Sequence, residues 1–66
     1  MKKFILVHAL YRDGLTAPKV INTERIITIN EDDENHARIF INYGSFSESH
    51  LVNESVNEIY QMLCQQ

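Results

Sequence analysis

The sequence predicts a small α+β fold: a bent antiparallel sheet of four to five strands with one C-terminal amphipathic helix packed on it. Three observations carry this. In residues 55–64, Val56, Ile59, Tyr60 and Leu63 fall at i, i+3, i+4 and i+7, one face of a helix. Most of the preceding chain is short β-rich runs separated by turn signals such as Asp13-Gly14 and Gly44-Ser45. Sixty-six residues with 44% hydrophobic content leave room for one domain, 1–66, with a modest core.

The helix carries its own start signal. Ser55 followed by Glu58 fits a capping box, in which each side chain satisfies the other residue's backbone N–H. Glu54 and Glu58 also bring negative charge to the positive end of the helix dipole. A helix of roughly ten residues does not hold itself together in water, so its apolar stripe must dock on a sheet.

The first strand, 3–11, is apolar on both sides. Phe4, Leu6, His8 and Leu10 share one face, and Ile5, Val7, Ala9 and Tyr11 the other. A strand with one wet face alternates apolar with polar. This one does not, so both faces call for cover and the helix can supply only one. Arg12-Asp13-Gly14 turns the chain towards a second strand at 19–22, with Pro18 at or just before its start. A third strand follows at 26–29. The fourth, 36–43, puts Ala37, Ile39, Ile41 and Tyr43 on one face and Arg38, Phe40 and Asn42 on the other. A short fifth strand, 49–52, leads into the helix. Between the third and fourth strands, Glu31 to Glu34 form an acidic run that reads as a solvated hairpin loop. It lacks both the ligand spacing and the glycine of a calcium loop.

Candidate chemistry is sparse, and no catalytic, cofactor-binding or metal residues are expected. His8, His36, His50 and Cys64 are single and widely separated, whereas structural zinc sites draw on close local pairs. Cys64 falls at the C-terminal end of the helix, where the dipole disfavours a thiolate. Neither a nucleophile elbow nor a phosphate-binding glycine loop is present. One cysteine excludes an internal disulfide and fits a reducing, cytoplasmic setting. A net charge of −3 argues against nucleic acid as the main partner. Met1-Lys2-Lys3 before Phe4–Val7 superficially resembles the start of a signal peptide. The apolar run is broken at His8 and ends by Arg12-Asp13, so a buried strand and no membrane insertion are expected.

By elimination, the chain reads as a non-enzymatic protein–protein interaction or self-assembly module. Its candidate surface is Phe4, Leu6, His8, Leu10, Arg38 and Phe40. The expected partner is a second copy, most simply in a two-fold dimer joined through sheet edges or faces, or else another protein. An alternative is a small single-stranded nucleic-acid-binding module, with Phe40 beside Arg38 as its stacking platform.

Five pieces of the chain also follow the layout of a known family: Val20-Ile21-Asn22, Ile26 to Ile29, Ile39 to Ile41, Val52-Asn53-Glu54-Ser55, and the helix from Val56 to Leu63. Over roughly residues 18–64 the chain resembles the FlbD-like family of very small bacterial proteins, and short uncharacterised bacterial and phage proteins of the same layout. The resemblance implies a role accessory to flagellar motility, with no catalytic residues. The chain departs from that pattern in its long first link, Arg12 to Pro18, and in its acidic 30–35 loop.

Overall fold

The structure, a computed structural model, describes residues 3–33 and 35–65. It is a five-stranded antiparallel sheet with a single helix, the α+β architecture expected. The strands are β1 (Phe4–Leu10), β2 (Thr16–Asn22), β3 (Ile26–Glu31), β4 (Ala37–Asn42) and β5 (Ser47–Val52), followed by helix α1 (Val56–Cys64). Their order across the sheet is β2-β1-β5-β4-β3.

β2 and β3 are therefore the two edges, yet only the 3-10 turn Thr23–Arg25 separates them in sequence. Four residue steps span at most about 14 Å of extended chain. Five flat strands would hold the edges about 19 Å apart. The sheet must curl until its edges approach each other. The corner is pinned locally: Asn22 Oδ1 accepts the Glu24 N–H at 3.0 Å, and the Thr23 N–H donates to the Lys3 carbonyl at 2.8 Å.

The concave face holds the core. Ile5, Val7 and Ala9 of β1, Ile21 of β2, Ala37, Ile39 and Ile41 of β4, and Val52 of β5 are all buried there. Ile59 of α1 completes the cluster with no exposed surface, and Val56, Met62 and Leu63 pack beside it. The capping box is formed as predicted, with Glu58 N–H to Ser55 Oγ and Ser55 N–H to Glu58 Oε1 both at 3.1 Å. Tyr60 departs from the expected stripe. It is 61% exposed, and Met62 takes its place against the core. One residue step turns a helix by about 100°, so Tyr60 points well away from Ile59 and its phenol stays wet.

β2 begins at Thr16 rather than 19, which puts Pro18 inside the strand. Ladder bonds at Thr23–Lys3 and Tyr11–Leu15 fix the alternation between β1 and β2. Pro18, opposite His8, falls at a non-hydrogen-bonded position, so its nitrogen faces away from β1 and no ladder bond is lost. Tyr43 lies beyond β4, where its ring stacks on Phe46 with centroids 5.1 Å apart.

Around Asp33 the turn into β4 is held by its own hydrogen bonds. Asp33 Oδ1 accepts the N–H groups of Asn35 and His36 at 3.1 and 3.0 Å, and Asp33 Oδ2 lies 2.9 Å from His36 Nδ1. The His36 hydrogen bond, helped by the backbone donors, holds the Asp33 carboxyl below its ordinary value. Glu34 of the acidic run, like Met1 and Lys2, lies outside the described residues.

Candidate interaction surface

The pleat sends alternate residues to opposite faces, so register determines what the convex face presents. β1 contributes Phe4, Leu6, His8 and Leu10; across from them on β2 stand Asn22, Val20, Pro18 and Thr16. On the other half of the sheet, Phe40 faces Ser49 and Thr28, and Arg38 faces Leu51 and Asn30. The six residues expected to form a surface thus lie on one face, in two groups separated by β5. No element of the described chain covers that face. Phe4 is 53% exposed and Leu6 50%, while His8, Leu10, Arg38 and Phe40 are half-buried. Val20, 67% exposed between them and the sheet edge, extends the apolar area. Its side was not assigned from the sequence because β2 was read as a short strand starting after Pro18.

No Asp or Glu occupies an outward strand position on this face among the described residues, in a chain that carries nine of them. The one guanidinium there is already engaged: Arg38 Nε donates to Asp32 Oδ1 at 3.0 Å, and Nη1 to Ser49 Oγ at 3.3 Å.

His8 is held from beneath by Glu54. The Glu54 carboxylate accepts the His8 backbone N–H at 2.9 Å, and its other oxygen lies 2.7 Å from His8 Nδ1, which must carry a proton to donate there. The Glu54 carbonyl accepts from Ala37 N–H at 2.9 Å, and Asn53 N–H donates to the His8 carbonyl at 2.7 Å. Glu54 therefore joins β1, β4 and the β5–α1 link. To the negative charge it brings beside the helix N-cap, the structure adds this clamp on β1. Burial pushes its pKa up, but the hydrogen bonds from the His8 ring and backbone outweigh that and leave it below the ordinary value of 4.5.

No protein-family model, curated protein or solved structure matches this chain. Among the described residues, no group of three or more His, Cys, Asp and Glu side chains could hold a metal ion. Nor is any helix there long and apolar enough to cross a membrane.

Two further features lie off the convex face. A groove of about 450 Å³ lies beside the start of α1, lined among others by Glu31, His36, Val56 and Tyr60. On the concave side, Lys19 Nζ lies 3.4 Å from His50 Nδ1. His50 Nε2 is buried without a hydrogen bond, although Glu48 Oε2 is 3.3 Å away. That contact is an ion pair only when His50 is protonated, and its geometry falls short of a hydrogen bond. Burial first, then the Lys19 charge, pushes the His50 pKa below 6.5, against the pull of Glu48. The folded chain thus resists a proton that the unfolded chain accepts. Stability should be full above pH 6.5 and decline as the pH falls through the interval below it. Urea melts between roughly pH 5 and 8 should show that decline, and His50→Gln should flatten it. An unchanged slope in the variant would place the titration elsewhere.

Proposed function

We propose that the chain is a non-enzymatic protein–protein interaction or self-assembly module, working in the cytoplasm through the convex face of its sheet. The observation that carries this is one face on which Phe4, Leu6 and Val20 are each at least half exposed and whose outward strand positions, among the described residues, hold no Asp or Glu. Contiguous exposed apolar surface of this kind marks contact sites on small proteins. The surface suits a protein better than a nucleic acid, because backbone phosphates require several free cations and Arg38 is already paired. The exposed free thiol of Cys64 is in keeping with a reducing compartment.

Photo-crosslinking in the producing cells tests the reading. p-Benzoylphenylalanine in place of Phe4 should give adducts of discrete mass. The same group in place of Tyr60, 61% exposed on α1 at the opposite side of the sheet, should give none. No adduct from position 4 would overturn the proposal.

A further inference from the structure

Resting on that reading, we infer that the occupant of the convex face is a second copy of the chain, packed sheet to sheet about a two-fold axis. The edges are poor places for two copies to meet. Pro18 directs its nitrogen outward in the middle of the β2 edge, where an incoming strand would need a donor. The β3 edge is interrupted by a register shift between Ile26 and Thr28, and such bulges twist an edge away from pairing. Association is thereby directed from edge to face.

The face itself tolerates its own image. A two-fold contact sets one patch against an identical patch, so any unpaired charge there would meet its like. In a chain of net charge −3, this is the side whose strands offer no carboxylate. Arg38 is neutralised by Asp32 within its own chain, and the Lys3 ammonium sits at the Phe4 end of the patch, 6.0 Å from that ring. The apolar members Phe4, Leu6, Val20 and Phe40 supply what two sheets about 10 Å apart interdigitate. The second copy would provide the layer that β1, apolar on both sides, lacks within its own chain.

The test is the mass of the full chain across a dilution series by sedimentation, with circular dichroism to confirm folding. The wild type should sediment at twice its 7.7 kDa. Val20→Glu and, separately, Leu6→Glu should weaken the dimer about thirtyfold or more, the loss expected of a central contact residue. Tyr60→Glu, at an exposed position on α1 and so on the opposite side of the sheet, should leave it intact. A monomeric wild type would overturn the inference, as would a dimer insensitive to both face variants. Adducts from position 4 to a different protein, with a monomeric wild type, would overturn self-pairing while leaving the interaction module standing.

Discussion

Ile59→Ala is expected to lower stability by about 2–5 kcal/mol. Ile59 is the one α1 residue with no exposed surface, and it sits among Ile5, Val7, Ile39 and Val52 from three different strands. Truncation removes buried methyl groups and leaves a cavity that a curled sheet cannot readily collapse to fill. Because α1 is too short to persist undocked, its helicity should disappear in the same transition as the sheet. Urea melts followed by circular dichroism give the measurement. Tyr60→Ala, one residue along but 61% exposed, should cost well under half as much. Equal losses for the two would mean that Ile59 does not anchor the helix.

Glu54→Ala should cost about 2–3 kcal/mol, because it strands the His8 backbone N–H and removes a charged acceptor from its ring. Glu54→Gln should lose less, since its amide oxygen can still accept one of the two bonds. The pH dependence separates this from simple loss of packing. The folded pKa of Glu54 lies below 4.5, so its stabilising contribution is full above that value and is lost as the pH falls through the lower folded value. Acid unfolding of Glu54→Gln should therefore be less steep than that of the wild type. Coincident acid limbs in the two proteins would refute the clamp.

What could be read from the sequence followed the range of the interaction. The Ser55/Glu58 cap was legible because both partners lie within one helical turn. The two faces of β1 were legible because a period of two needs only the strand itself, and Ile5, Val7 and Ala9 are indeed the buried set. Glu54 was assigned to the nearest available charge, the helix dipole. Its hydrogen-bond partner, His8, is 46 residues away, and nothing in the neighbouring residues indicates it. The extent of β2 was underestimated because proline usually ends a strand. Only the pairing register shows that position 18 needs no donor. Tyr60 matched the apolar spacing, yet it lines the groove with Glu31 and His36, residues far from it in sequence.

The seam between the two halves of the sheet has a consequence for how the chain folds. β1 and β2 pair along their whole length, and so do β4 and β5, in each case across a short loop. β1 and β5 share a single bridge, Ala9 with Val52. The hairpin and the three-stranded meander can therefore each zip locally and quickly. Joining them requires closing most of the chain into one loop before any contact compensates the lost entropy. That junction is where the slow step of folding is expected, and Glu54, bonded to His8 of β1 and Ala37 of β4, is the latch across it.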